Sequence, residues 1–212
     1  MKLDRSTLLE AALQVFAEKG LEGASMRAIA RAANCDASLL YYYFENKEAV
    51  FSAVLDQRLP ALVAALRKLA SPGDRRSSAE KLWTMLQLFH RHGADRGFRG
   101  LMRAQLDKGA EGLSDLVARK VIPAQVAMRT IVRRGQRAGE IRPELETRLV
   151  VMFLIRMEAE LLNLVPGYSM IMIGMEPDRA LAEAERSWFD VFWRGIATDP
   201  LAPLPFLEAQ PS

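Results

Sequence analysis

Residues 25–48 read SMRAIARAANCDASLLYYYFENKE, and the fold turns on this stretch. Ser25 is placed to cap a helix, its hydroxyl accepting from an unpaired N–H of the first turn. Met26 to Ala33 follows in helical register, with Ile29 and the small Ala30 facing inward. Asn34-Cys35-Asp36 interrupts it. Asparagine tolerates the left-handed conformation that a helix end often needs, and Asp36 can cap a second helix, Ala37 to Phe44. A small residue where two helices cross, a turn four residues on, a cap, and Leu40 pointing back into a core describe a helix-turn-helix. The second helix of that motif enters a DNA major groove.

The aromatic run sharpens this reading. Tyr41-Tyr42-Tyr43-Phe44 cannot all be buried on one short helix, because consecutive side chains stand about 100° apart. Leu40 and Phe44 share a face four residues apart and are expected in the core. Some of the three tyrosines must then face outward, each with a flat ring and a hydroxyl able to bond phosphate. Asn46 can cap the next helix, and Lys47 stands at its start, where free N–H groups also favour an anion.

Upstream, Asp4 is placed to cap a first helix with an apolar stripe at Leu9, Leu13 and Phe16. Gly20 is expected to end that helix. With this helix included, LLEAALQVFAEKGLEGASMRAIARAANCDASLLYYYFENKEAVF, residues 8–51, resembles the DNA-binding region of the TetR family of bacterial transcriptional regulators. The resemblance covers roughly the first 55 residues. Asn34-Cys35-Asp36 stands where that family usually has Gly-Val-Ser, and Ala37-Ser38-Leu39 is less polar than many recognition helices. The resemblance implies an all-α protein with an N-terminal helix-turn-helix domain, residues 1–47. A larger helical domain for effector binding and dimerisation, 48–198, and a proline-rich tail, 199–212, would follow.

Composition agrees with a globular chain and excludes other classes. Of 212 residues half are hydrophobic and 26% charged, which excludes disorder for most of the chain. The longest strongly apolar run, Leu149 to Ile155, is far short of the ~20 residues of a membrane span, and acidic residues interrupt any leader-like segment at the N-terminus. A single cysteine excludes an intrachain disulfide framework and a cysteine-rich zinc site. No cofactor and no membrane partner are expected, and a cytoplasmic protein is the simplest reading. The net charge of +3 is unevenly spread: residues 1–47 are neutral, 48–90 carry +2, 91–137 carry +7 and 138–212 carry −6. The reader is not basic overall, so DNA affinity must rest on locally placed groups.

The remainder has helical periodicity throughout, giving about nine helices and no convincing strand. A long helix from Asn46 to Leu69 contains Pro60, which predicts a kink or break near Leu59. Helices are expected near Ser78 to His92 and Phe98 to Lys108. Another is expected from Ser114 to Ala138, kinked or divided at Pro123. A further helix starts at Pro143 and is closed by Pro166-Gly167. Tyr168 to Met175 is an apolar stretch of open conformation. Pro177 opens the last long helix, and the residues after Thr198 are expected without regular structure.

Site residues follow in three groups. The resemblance places Tyr41, Tyr42 and Lys47 on the phosphate backbone, with tyrosines that merely pack the bundle as the alternative. It places Arg27 on a base or a phosphate, with a solvated surface arginine equally open. Ala37, Ser38 and Leu39 would meet base edges, Ser38 by hydrogen bonding and its neighbours by contact with a thymine methyl. Trp83, Met85, Phe89, Met102, Met128 and Met157 could line an apolar effector cavity or simply fill a core. The last two long helices have wide apolar faces, and the resemblance makes Leu154, Leu161, Trp188 and Phe192 a homodimer interface. His90 and His92, two apart, make a poor metal pair, and Cys35 reads as quiet packing more readily than as a redox switch. The arginine rows Arg99/Arg103 and Arg129/Arg133/Arg137 suggest a solvated face paired with acids, or the rim of a pocket for an anionic amphiphile.

The function implied is a homodimeric repressor on a palindromic double-stranded operator, released by a small apolar or amphipathic effector. An activator or architectural protein of the same fold without an effector, and a helical interaction scaffold, are the rivals. An enzyme is not expected, since no phosphate loop, metal-ligand cluster or nucleophile motif follows Phe51.

Overall fold

The structure is a computed structural model that describes residues 4–93, 95–107, 115–168 and 174–208. Among these residues the chain is all-α, with ten helices. They are α1 Arg5–Gly23, α2 Met26–Ala32, α3 Ala37–Tyr43, α4 Lys47–Leu69, α5 Ser78–Gly93, α6 Arg96–Asp107, α7 Asp115–Arg137, α8 Thr147–Tyr168, α9 Pro177–Ile196 and α10 Pro205–Glu208. The described residues hold one isolated antiparallel bridge, Ile141 to Ala197. The chain forms two compact units, Met1–Val63 with Asp95–Pro123, and Ala64–Ala94 with Ala124–Ser212.

In the first unit, α1, α2, α3, α6 and the start of α4 close on Leu8, Leu13, Phe16, Ile29, Leu40, Phe51, Leu55 and Leu101, all buried. Phe51 meets Phe16 edge-on, with ring centroids 5.1 Å apart. Helix α6 packs along α1. A Cβ at Gly97 would sit 3.2 Å from Leu13 Cγ, so glycine is what allows that approach. Arg58 ties α4 to Glu10 of α1 at 2.5 Å and to Asp95 at 3.2 Å. Gly20 does interrupt α1, at φ +67, but one further helical turn follows it before Ala24. Asp4 caps α1 by accepting from Thr7 N at 2.9 Å, and this bond holds its carboxyl below the usual range.

Helix α4 is long and apolar enough to cross a membrane by length and composition alone. Val50, Phe51, Val54, Leu55 and Leu59 are nonetheless buried in the first unit's core.

The second unit is built from α5, the later part of α7, α8 and α9, around Leu82, Met85, Leu86, Met128, Ile131, Val151, Leu154 and Phe189. Ser77 and Glu80 form a reciprocal cap on α5: Ser77 N donates to Glu80 Oε2 at 2.8 Å, and Glu80 N to Ser77 Oγ at 3.2 Å. Gly135 of α7 lies where a Cβ would meet Ile141 Cδ1 and Ser78 Oγ, each at 2.6 Å. Both side chains are buried and have little room to move aside, so Gly135→Ala is expected to destabilise this unit by about 1–3 kcal/mol, measured as a lower urea midpoint at unchanged slope.

The expectations at Pro166 and Pro143 are corrected, and of the kink or break expected at Pro60 and at Pro123 the break does not occur. Pro60 and Pro123 lie inside helices that run on without a break. The side chains flanking them, Leu59 and Leu62 around one and Ala124 and Ala127 around the other, are buried. That burial outweighs the one lost backbone bond. Pro166 sits inside the final turns of α8, which continues to Tyr168. Pro143 does not open α8. The bonds Arg142 N to Ile196 O and Thr198 N to Glu140 O hold that segment against the end of α9. The helix starts instead at Thr147, where Glu146 Oε2 accepts from Arg148 N and Leu149 N.

The tail is also more regular than expected. It carries the turn Pro205–Glu208, buries Leu204 and lays Phe206 edge-on to Phe189 at 6.3 Å. The apolar stretch from Tyr168 to Met175 falls mainly on residues 169–173, outside the described residues. So do Lys108 and Ser114, the expected ends of two helices.

Candidate nucleic-acid interface

The helix-turn-helix is set by short-range bonds. Ser25 Oγ accepts from Ala28 N at 3.2 Å and starts α2. Asn34 takes up φ +52, the left-handed turn, while Cys35 N returns to Ala30 O at 3.0 Å. Asp36 occupies the cap position of α3 with extended backbone, but its side chain makes no capping bond. There the expectation is corrected: only the backbone bond from Leu39 N to Asp36 O closes the turn. Asn46 Oδ1 accepts from Ala49 N at 2.8 Å and starts α4.

This scaffold sorts the aromatic run. Leu40 and Phe44 are buried, and the Arg5 guanidinium lies 5.2 Å over the Phe44 ring. Tyr41 is 57% exposed and Tyr42 81%. Tyr43 is the least exposed of the three and meets Tyr42 edge-on at 5.0 Å. Arg27 and Ser38 are exposed, and Leu39 is half-buried. Ala37 is half-buried against the core, so only part of it faces outward. Arg27 and Arg31 edge a shallow depression of about 360 Å³ with Asn34 and Asp36. The exposed groups are thus three phenols, a hydroxyl and two guanidiniums, all able to bond phosphate or a base edge.

Lys47 has a second role that its sequence position did not reveal. Its Nζ donates to Glu22 O at 3.1 Å and to Ala24 O at 3.4 Å, stapling the end of α1 to the start of α4. Lys47→Ala is expected to lower stability by about 1 kcal/mol, read as a urea midpoint, apart from any effect on DNA. Cys35 packs against the same core, and burial pushes its thiol pKa up, with Asp36 adding to it. A poorly ionised thiol is a slow nucleophile. Cys35 is therefore expected to react with a disulfide reagent at neutral pH no faster than a free thiol.

The six residues expected around an effector fall in both compact units, Met102 in the first and the other five in the second. Met102 packs against the first unit's core, because its face of α6 turns toward α1. Met85 and Met128 are fully buried among helices, Trp83 is buried, and Phe89 and Met157 are half-buried. A cavity of about 530 Å³ lies instead in the second unit under the tail, lined by Ala79, Trp193, Leu204, Pro205 and Phe206 among others. Among the expected interface residues, Leu154 is a correction: it is buried in the core and has no surface for a partner. Leu161 is half-buried, and Trp188 and Phe192 stack on one another at 5.0 Å, half-buried. Other residues of the same helices are more open, notably Leu149, Met152, Phe153 and Leu164 on α8 and Val191, 70% exposed, on α9. Arg129, Arg133 and Arg137 form no ion pair among the described residues. The side chain of Arg103 lies outside the described set.

A buried polar cluster escaped the sequence reading. Glu158 of α8, 1% exposed, and buried Glu185 of α9 converge on half-exposed His90 of α5. His90 Nδ1 bonds Glu185 Oε1 and lies 3.8 Å from Glu158 Oε1. Burial, and then the Glu185 charge, push the Glu158 carboxyl up to about 9. The bond to Glu185 raises the His90 pKa. The signal was available: Glu185 lies midway between Leu181 and Phe189 on one helix face, and Glu158 midway between Leu154 and Leu162 on another.

A helix-turn-helix held by a sealed core, with its second helix exposed, defines the DNA-reading class of helical proteins. Comparison with known proteins narrows the class. Residues 8–54 match the profile described as "Bacterial regulatory proteins, tetR family". Over 81 residues the chain is 36% identical to the HTH-type transcriptional repressor KstR2 of Rhodococcus jostii (strain RHA1), a match covering 38% of this chain and 40% of that protein. The chain therefore spans less than half the length of this curated relative. The TetR family regulator PfmR from Thermus thermophilus is 25% identical with a TM-score of 0.66, over 92% of this chain and 97% of that one. FadR from Bacillus subtilis, solved in complex with stearoyl-CoA, shares the fold at 19% identity with a TM-score of 0.67, over 91% and 100% of the two chains. Residues 8–54 therefore match the DNA-binding region of the bacterial tetR family of regulatory proteins, and the fold along the chain is similar to that of TetR family regulators.

Proposed function

We propose that this protein is a homodimeric repressor acting in the cytoplasm on a palindromic operator, released by a small apolar or amphipathic effector. The observation that carries the reading is the exposed face of α3, where Tyr41, Tyr42 and Ser38 stand clear of a core sealed by Leu40 and Phe44. Arg27 and Arg31 on α2 add charge beside it. Tyrosines and arginines would hold phosphates, while Ser38, Ala37 and Leu39 offer thin chemistry to the bases. Specificity then leans on backbone positioning and DNA shape.

Two readers are needed because one short helix spans few base pairs, and a palindrome with half-sites ~34–36 Å apart would match a twofold dimer. The open apolar faces around Phe153 and Leu164 on α8, and around Trp188 and Val191 on α9, support a dimer through those helices. The cavity near 530 Å³ is of ligand size and supports an effector in the second unit. The stearoyl-CoA carried by FadR makes an acyl amphiphile the first effector class to test. Release requires only that the effector prefer the arrangement that does not fit DNA: about 1–3 kcal/mol of coupling gives roughly 5- to 150-fold relief. Helix α4 would transmit the change.

The alanine variant of Tyr42 is expected to bind operator roughly tenfold more weakly, a loss of about 1.4 kcal/mol, with its thermal midpoint unchanged. An unaltered affinity on DNA that the parent binds tightly would remove Tyr42 from the interface.

A further inference from the structure

We propose that His90, Glu158 and Glu185 form a binding site for one divalent transition-metal cation of the zinc type. The three residues come from α5, α8 and α9 and each offers a ligand atom, all within 4.8 Å of one another. Glu158 supplies an independent indication. It is almost completely buried, and neither carboxylate oxygen has a hydrogen-bond donor among the described residues. Such a group is costly to bury unless something binds it. Glu185 does have partners: the His90 ring on one oxygen and Gln87 Nε2 at 3.5 Å on the other.

The chemistry of the set selects the cation. One imidazole nitrogen and two carboxylates suit zinc and its neighbours in the first transition row. The absence of sulfur from the set disfavours copper(I), and the imidazole disfavours magnesium and calcium. Three protein ligands leave a fourth position for water or an exogenous donor. A cavity of about 230 Å³ adjoins the cluster, lined among others by Trp83, Gln87, His90, Asp178, Glu185 and Arg186, and provides the way in. Arg186 beside it is held by Glu183 at 2.8 Å. A dication balances the two carboxylates. The competing occupant is a proton held between them, which leaves Glu158 partnered by Glu185 alone.

The site would cross-link three helices of the second unit, so bound metal should stabilise that unit. The inference stands apart from the operator reading, because its test needs no DNA. Full-length protein is stripped with chelator, and zinc binding is titrated by calorimetry and by metal analysis after gel filtration. Cobalt(II) is used in parallel for its visible spectrum. The expected result is about one zinc per chain and a raised unfolding temperature. Cobalt absorption should show low coordination, and affinity should fall at least about tenfold in Glu158→Gln and in His90→Gln. No retained zinc, or binding equal in the parent and both variants, would overturn the proposal. Should either variant fail to fold, the parent's stoichiometry and cobalt spectrum still decide.

Discussion

Replacing Phe51 with alanine is expected to cost about 3–5 kcal/mol of folding stability and, with it, DNA binding at ordinary temperature. Phe51 is fully buried at the centre of the first unit and meets Phe16 edge-on. It stands on α4, whose start is capped by Asn46, directly after the recognition helix. Truncation removes the ring contact, which adds to area burial, and leaves a cavity among Leu8, Leu13, Phe16 and Leu40. Leu40 stands on the seven-residue α3, a helix too short to be stable without this packing. The loss should therefore appear as an early unfolding of the first unit. Urea unfolding, followed by tyrosine signals from this unit and tryptophan signals from the second, checks it. A cost below about 1 kcal/mol would mean that the core described here is wrong.

The second large effect concerns Glu158 under chelation. Its carboxyl is raised to about 9 by burial first and by Glu185 second, so the folded protein keeps a proton there that the unfolded chain releases near 4.5. Between those two values the folded state binds more protons, and stability falls as pH rises. His90, whose folded pKa is raised by its bond to Glu185, acts in the same direction: its contribution is complete below its unfolded pKa and disappears as pH rises through the folded one. From pH 6 to pH 8 the metal-free protein should lose up to a few kcal/mol, the slope approaching about 1.4 kcal/mol per pH unit for one proton. Glu158→Gln carries no titrating group there. Its stability should be flatter with pH and should exceed the parent's at pH 8. Equal slopes in parent and variant would show that Glu158 is ionised at neutral pH.

The parts legible in the sequence were those controlled by neighbours in the chain. Asp4, Ser25 and Asn46 cap the helices they precede, Asn34 takes the left-handed turn, and the spacing of Leu40 and Phe44 separates core from exposed tyrosine. Each depends on bonds or geometry within four residues. What failed depends on packing across the chain. Pro60 and Pro123 carry a local signal for breaking a helix, yet the helices run on past them with buried apolar residues on either side. From Leu149 to Ile155 every position of α8 is apolar, so periodicity could not tell buried Leu154 from exposed Phe153. The cluster at His90 is less visible still, since its three members lie on three separate helices and only folding brings them together. Lys47 shows the intermediate case: its position at a helix start was read correctly, but the carbonyls of Glu22 and Ala24 that hold it stand at the end of α1, some two dozen residues earlier.

The central claim is that α3 reads one particular DNA sequence. Fluorescence anisotropy of the purified protein against duplexes tiled through the region around its own gene, at two salt concentrations, tests it most directly. The account predicts one tight palindromic site, weakened steeply by added salt as phosphate contacts exchange with counterions, and weakened further in the alanine variants of Tyr42 and Arg27. Weak binding of equal strength to every duplex, still present after ligand stripping and refolding and indifferent to both substitutions, would contradict it.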